Sequence, residues 1–353
     1  MIKTRVTEIL GIQYPIILGA MAAISSAKLV LAVSKAGGLG VLAAFGYLSK
    51  EDLRRDIRYI RENTDKPFGV NIFAGDPRER ELAEVIVEEK VPIVSHGRGN
   101  PDWLLEASKT YNCIKMPTVG SLRHATKAEK DGADIIVVQG SEGGGHTGNV
   151  ASSILIPEVI DHVKVPVVAA GGFSDGRSLV SALAMGAGAI YIGTRFALTQ
   201  ESPMAEAAKK YYLQAGLEDT GITDRITGHN CRMLKNKRFR KAERSKIRIL
   251  PWQLLSDAIA TSRMLKVSLW KLMRTGLNMK KVYGESLWQM ALAAQMYPTM
   301  AKAVKEGDLD RGFMPAGQVV GRVDDMPACH ELIQRIMQEA EEVLGKLKTL
   351  SSG

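Results

Sequence analysis

The chain has 353 residues, 45% apolar and 24% charged, with 47 Lys and Arg against 38 Asp and Glu. That mix excludes a mainly disordered chain, because it supplies enough apolar side chain for a large core. It also excludes a surface basic throughout: segment 232–248 holds nine Lys/Arg and one Glu, +8 of the formal +9, which leaves +1 for the rest.

Eight short apolar runs recur along the first 200 residues, at 15–19, 40–44, 68–72, 92–95, 113–117, 135–139, 166–170 and 189–193. Each is rich in Val, Ile or Ala and bounded by Gly or Pro, the pattern of strands buried on both faces. Helical patterns lie between them. They open at Ser26, at Ser49 with Asp52 three residues on, near Pro77, at Ser121 and at Asp175, and the last ends at Gly186. Ser or Asp in these places caps a helix start, and Gly suits its end. Eight β-then-α units predict an α/β fold, a (β/α)8 TIM barrel over residues 1–215. A doubly wound sheet fits the same count, since counting strands does not prove closure. After Phe196 the strand rhythm is expected to stop. A helix over 203–216, the basic segment, amphipathic stretches over 251–305 and a helix over 329–347 read as a helical C-terminal subdomain, 216–353, whose last helix packs back on the barrel.

No stretch approaches the ~18 apolar residues of a membrane helix, and the first residues lack the apolar core of a leader. Cys113, Cys231 and Cys329 are odd in number and far apart, without CxxC or metal spacing. Neither a disulfide framework nor a metal site is expected, and the expected compartment is a reducing cytoplasm.

A barrel carries its site at the C-terminal ends of its strands, so the residues after each run are the candidates. Met21 follows the first, Asn71 closes the third, His96 and Arg98 follow the fourth, and Gln139 to Gly148 follow the sixth. Gly171-Gly172 and Gly193-Thr194 follow the seventh and eighth. Glycine lets backbone N–H groups approach a phosphate, and these two loops are the usual phosphate cradle of such barrels. The sharpest feature is His146, reached through Gly143-Gly144-Gly145. An imidazole at a barrel mouth suits a general base, its proton affinity being tunable around neutrality. His124, His162, His229 and His330 lie on predicted helices or away from strand ends and read as structural, while His96 carries no mark beyond its position. Gly37-Gly38-Leu39-Gly40 leads from helix into strand, the wrong order for a dinucleotide fingerprint, and reads as a structural turn.

Taken together, Gly19-Ala20-Met21, Lys66 to Asn71, Glu142 to His146, Ala170 to Gly176, Gly193 to Phe196 and Ala316-Gly317-Gln318 resemble the nitronate monooxygenase (2-nitropropane dioxygenase) family. That resemblance implies an FMN-binding barrel. By position, Met21, Asn71 and Gln139 would contact the flavin ring or ribityl chain. Gly144, Gly172, Gly193 and Thr194 would hold the flavin and its phosphate, and His146 would be the catalytic histidine. NAD(P)H as donor or NAD(P) as acceptor, and a homodimer, are further expectations of the same origin. Two departures imply a wider pocket than small nitroalkanes need: Ala22-Ala23-Ile24 stands where many members carry an aromatic residue, and Gly143 where many carry Ala. The stretches 139–149, 170–177, 212–217, 274–277 and 323–327 are similar to a subgroup, the flavin enzymes of bacterial steroid-ring degradation, which act on bicyclic CoA thioesters. The resemblance thus implies a bulky CoA-type carbon acid as substrate, with small alkyl nitronates or enoyl thioesters as alternatives. It also gives the basic segment a purpose, since Lys and Arg bind phosphate well. Arg98, Arg238 and Arg240 are therefore candidate substrate contacts. A nucleic-acid surface is not expected, because Phe239 is the sole aromatic residue within segment 232–248.

Overall fold

A computed structural model describes residues 2–47, 49–73, 78–97, 102–244, 296–310 and 312–351, with isolated positions between 259 and 292. In chain order the barrel region comprises α1 (Arg5–Leu10), β1 (Ile16–Leu18), α2 (Ala27–Lys35), β2 (Gly40–Ala43), α3 (Lys50–Asn63), β3 (Phe68–Phe73), α4 (Glu79–Glu88), β4 (Ile93–Gly97), α5 (Asp102–Ser108), β5 (Ile114–Val119) and α6 (Leu122–Lys130). It continues with β6 (Ile136–Gln139), β7 (Gly145–His146), α7 (Ser152–Ile160), β8 (Val167–Ala170), α8 (Gly176–Ala184), β9 (Ala189–Ile192) and α9 (Thr194–Ala197). Beyond lie α10 (Glu206–Leu213), β10 (Thr220–Thr223), β11 (Cys231–Leu234), α11 (Lys237–Arg244), α12 (Met296–Glu306) and α13 (Cys329–Ser351).

The eight apolar runs form one parallel sheet in the order β1-β9-β8-β6-β5-β4-β3-β2. The ring closes through Leu39, which bridges Ile17: Leu18 N–H donates to the Leu39 carbonyl at 2.8 Å, and Leu39 N–H to the Ile16 carbonyl at 3.0 Å. Closure excludes the doubly wound alternative. It also explains why the runs are apolar without alternation. Val41, Val137, Val168 and Ala189 point into the barrel, and their neighbours Leu42, Val138, Ala169 and Ile190 pack outward against the helices. Both faces of every strand are therefore buried.

Serine and aspartate start the helices where expected. Ser26, Ser49 and Ser121 accept N–H donors from the first turns of α2, α3 and α6, and Asp175 forms a capping box with Ser178 at α8. Below the barrel, α1 contributes Val6 and Leu10 to the inner core. Thr4 Oγ1 donates to the Gly188 carbonyl at 2.6 Å, just before β9, so α1 lies at the N-terminal ends of the strands and the opposite end is the mouth. The turn before β2 is structural, as expected: Gly37 has φ +91°, and a Cβ on Gly40 would press into the backbone carbonyl of Val30 on α2. Gly40→Ala should cost about 1–3 kcal/mol through overpacking. Chemical denaturation reads this directly, and an unchanged midpoint would show that α2 yields freely.

The helical C-terminal region is present, and it also carries short strands that the sequence pattern does not predict. β10 and β11 pair antiparallel, and β11 also pairs with β7, giving a three-stranded sheet above the loop after β6. These strands of four, four and two residues carry no apolar run, so their sequence does not announce them. α13 does pack back on α8 and α2, where Glu339 accepts the Gly176 N–H at 2.7 Å. Of the stretch 251–305, α12 is described; most of the remainder lies outside the described residues. Among the described residues no helix is long and apolar enough to cross a membrane.

Candidate active site

A cavity of about 1300 Å³ opens at the mouth of the barrel. Its wall includes Met21, Asn71, Gln139, Gly144, His146, Gly172, Gly193 and Thr194. Residues spread over 170 positions of sequence are thus brought together by the strand ends.

The His146 loop is held from several sides. Gln139 Nε2 donates to the His146 carbonyl at 2.8 Å, and Thr147 Oγ1 donates to the Gly140 carbonyl at 3.0 Å. Glu142 accepts from Ser152 N–H and Ser152 Oγ, both at 3.0 Å, so its carboxylate caps the start of α7. In the small sheet His146 pairs with Cys231 and Gly145 with Arg232. Arg232 Nε reaches on to the Ser141 carbonyl at 2.9 Å. The glycines are conformational requirements here. Gly145 has φ +77°, and a Cβ on Gly144 would lie 2.5 Å from the Gly317 nitrogen. His146 is thereby presented on a fixed backbone, with its Nε2 shielded from solvent.

The floor is polar where an inward-facing strand residue is not aliphatic. Tyr191, on β9, accepts the Ala20 N–H at 2.8 Å. Burial raises its phenol pKa, against the opposing hydrogen bonds of Ala20, Ser95 and Thr118. Asn71 Nδ2 donates to Ser95 Oγ at 3.0 Å, linking β3 to β4. Tyr191 lay inside a predicted strand and carried no mark in the sequence; only its inward register reveals it.

Three histidines read as structural or unmarked also line the cavity: His96, His124 and His229. His124 lies on a helix and His229 in a loop, as expected, and both nonetheless border the cavity. The His229 ring meets His146 edge-on, with centroids 6.0 Å apart. It arrives there because the loop carrying it leads into β11, which pairs with β7, a contact with no local sequence signal. His124 sits on α6, where burial, and then Arg123, lower its pKa.

At the ends of β8 and β9 the wall is backbone. Gly171 and Gly172 have φ +97° and +85°, and Gly193 faces Met21. Thr194 Oγ1 accepts the Gly317 N–H at 2.8 Å, which leaves its own O–H to donate. The segment around Gly317 is held down at two further points. Gln318 N–H donates to the Glu142 carbonyl at 2.9 Å, and the buried Arg195 guanidinium binds Asp325, which Arg335 of α13 also binds.

Arg238 and Arg240 stand on α11, outside the cavity wall. Arg98 lies outside the described residues.

The fold and site define a closed (β/α)8 barrel protein with a histidine loop and paired glycine loops over one mouth. Residues 3–87 and 78–339 match the nitronate monooxygenase family, and the chain is an oxidoreductase belonging to that family. It is 38% identical over 344 residues to the (3aS,4S,5R,7aS)-5-hydroxy-7a-methyl-1-oxo-octahydro-1H-indene-4-carboxyl-CoA dehydrogenase of Mycobacterium tuberculosis, covering 96% of each chain. To the Rhodococcus jostii dehydrogenase of the same name it is 37% identical over 350 residues, covering 99% of each. Among solved structures, FabK from Thermotoga maritima superposes with a TM-score of 0.80 at 34% identity, over 99% of this chain and 100% of that one.

The family is generally flavin-dependent, and the residues present fit a flavin. The cavity exceeds the roughly 300–1,000 Å³ of ordinary small-molecule pockets, leaving space for a cofactor and a substrate together. Its β8 and β9 end offers backbone and a hydroxyl to a phosphate. No bulky side chain intervenes between Gly193 and Met21.

Proposed function

We propose that the protein is an FMN-dependent oxidoreductase acting on a bulky CoA thioester, a carbon acid of the steroid-ring type named for its relatives. The observation that supports this most is that His146 and the glycine phosphate loops share one cavity, in a chain matched end to end by two CoA-thioester dehydrogenases. Gly144, Gly172, Gly193 and Thr194 would hold the flavin and its phosphate, and Met21, Asn71 and Gln139 would contact its ring or ribityl chain. Bound FMN supplies the two-electron acceptor. His146 removes, or in reverse returns, the proton on the carbon α to the thioester carbonyl, which is acidified by that carbonyl. Gln139 and β11 fix the imidazole's backbone, so little reorganisation accompanies proton transfer. Apolar wall residues such as Phe45, Phe73 and Phe313 exclude water from the acyl group.

The test begins with the visible absorption spectrum of the purified protein. A flavin spectrum, with FMN released on denaturation, is expected; a colourless protein that takes up no added FMN overturns the reading. Turnover then separates the substrates. Flavin reduction by a bicyclic CoA thioester supports the proposal. Oxygen-dependent nitrite release from an alkyl nitronate as the sole activity replaces it with a nitronate monooxygenase. Stoichiometric NAD(P)H consumption with a 2-enoyl thioester replaces it with a reductase.

A further inference from the structure

α11 follows β11 after only two residues. Asn236 fixes its start, with Oδ1 accepting the Phe239 N–H at 3.0 Å and Nδ2 donating to the Leu309 and Gly312 carbonyls. One side of the helix faces the protein. Phe239 is buried, and Glu243 accepts Thr223 Oγ1 at 2.6 Å from β10. At 3.6 residues per turn, Lys237, Arg240, Lys241 and Arg244 fall within an arc of about 100° on the other side. Together they line a surface recess of about 550 Å³. Arg238 falls to the flank of that arc. Lys237 meets Asp310 at 2.6 Å; among the described residues the recess is lined by the four cations alone. Cations three and four residues apart on one helix face repel each other. Four exposed cations on one helix face, one of them paired with Asp310, make a local positive field that attracts a polyanion.

The recess is also within reach of the site. Cys231 pairs with His146, and Lys237 is six residues further on, at most about 20 Å along an extended chain. The pantetheine arm of a CoA thioester is long enough to bridge such a distance, with its phosphates at the far end. Guanidinium and ammonium groups are the natural partners of those phosphates.

We propose that Lys237, Arg240, Lys241 and Arg244 form the subsite for the 3′-phospho-ADP end of a CoA thioester whose acyl end reaches His146. This rests on the CoA-thioester reading above and names the part of the chain that makes it specific for CoA over a smaller thioester.

The test is calorimetric titration of the full-length FMN-loaded protein with CoA, dephospho-CoA, 3′,5′-ADP and pantetheine. Wild type should bind CoA about tenfold more tightly than dephospho-CoA, the loss of one charged hydrogen-bonding group. R240E/K241E/R244E should weaken CoA by on the order of 100-fold and abolish 3′,5′-ADP binding, while leaving pantetheine unchanged. The control K66E/K130E/K210E, which makes the same charge change at exposed positions elsewhere, should bind CoA as wild type does. Wild type that binds CoA no better than dephospho-CoA, or a triple variant that binds CoA normally, overturns the subsite and leaves the CoA reading standing. Wild type that binds neither CoA nor its acyl thioesters overturns both. A mixed-sequence DNA duplex bound more tightly than CoA, and lost in the triple variant, assigns the face to nucleic acid instead. The CoA against dephospho-CoA comparison uses wild type alone, so it stands even if the triple variant misfolds.

Discussion

Replacing His146 with alanine should lower kcat/KM on a carbon acid by about 10²–10⁴-fold, the usual contribution of a positioned general base. That corresponds to roughly 3–5 kcal/mol of transition-state stabilisation. The substitution is clean because the contacts that shape the loop use backbone atoms. Gln139 still finds the carbonyl of residue 146, and the pairing with Cys231 survives. FMN should therefore stay bound, with an unaltered visible spectrum. A sharper control follows from the chemistry. A neutral nitroalkane must lose its α-proton, whereas the corresponding nitronate has already lost it. If His146 is the base, H146A should be crippled on the neutral acid and much less affected on the preformed anion. Equal losses on both would assign the imidazole to binding or orientation. Full activity on both would remove it from the reaction.

How much of this was legible in the sequence follows from how locally each feature is encoded. The eight strands were readable because burial on both faces forces a continuous apolar run, and each run is cut by Gly or Pro. The helices opened by Ser26, Ser49, Ser121 and Asp175 were readable because a cap is a local hydrogen bond. α7 was not: Pro157 lies inside it, and its start is capped by Glu142 from the His146 loop, ten residues upstream. The small sheet was invisible because its strands are short and partly polar, and β7 joins it only through a partner far along the chain, His146 pairing with Cys231. That sheet brings His229 and Arg232 to the His146 loop, so the partners missed in the sequence are the ones that depend on it. Tyr191 was hidden for another reason. Only the barrel's inward register distinguishes it from its outward neighbours Ile190 and Ile192. The basic segment was legible as charge, but which cations share a face became plain only once α11 had defined bounds.

Arg195→Met should uncouple the C-terminal strap from the Gly193-Thr194 end of the cavity. Arg195 follows Thr194 directly, and its side chain is 8% exposed. It donates to the carbonyls of Leu198 and Asp325 as well as to the Asp325 carboxylate. Burial lowers its pKa, and the charge and hydrogen bonds of Asp325 oppose that shift. Methionine keeps the apolar stem but leaves two carbonyls without this donor. The expected cost is about 2–4 kcal/mol, less than the roughly 3–5 kcal/mol of a fully buried broken pair, because Asp325 is 39% exposed and screened by water. The loss should also reach the cofactor. Asp325 lies eight residues beyond Gly317, whose N–H binds Thr194, so a loosened strap frees the hydroxyl expected to meet the phosphate. Thermal unfolding and FMN titration by flavin fluorescence should shift together. The pH dependence supplies an independent check. Burial pushes the Asp325 carboxyl up, but the hydrogen bonds and charges of Arg335 and Arg195 outweigh it and hold the pKa below 3.8. The bridge's contribution is therefore complete above pH 3.8 and is lost as pH falls through the depressed value. Wild type should exceed Asp325→Asn in stability by a constant margin at neutral pH, and the margin should close in strong acid. An Arg195→Met protein with wild-type stability and FMN affinity would show that the strap and the phosphate loops hold independently.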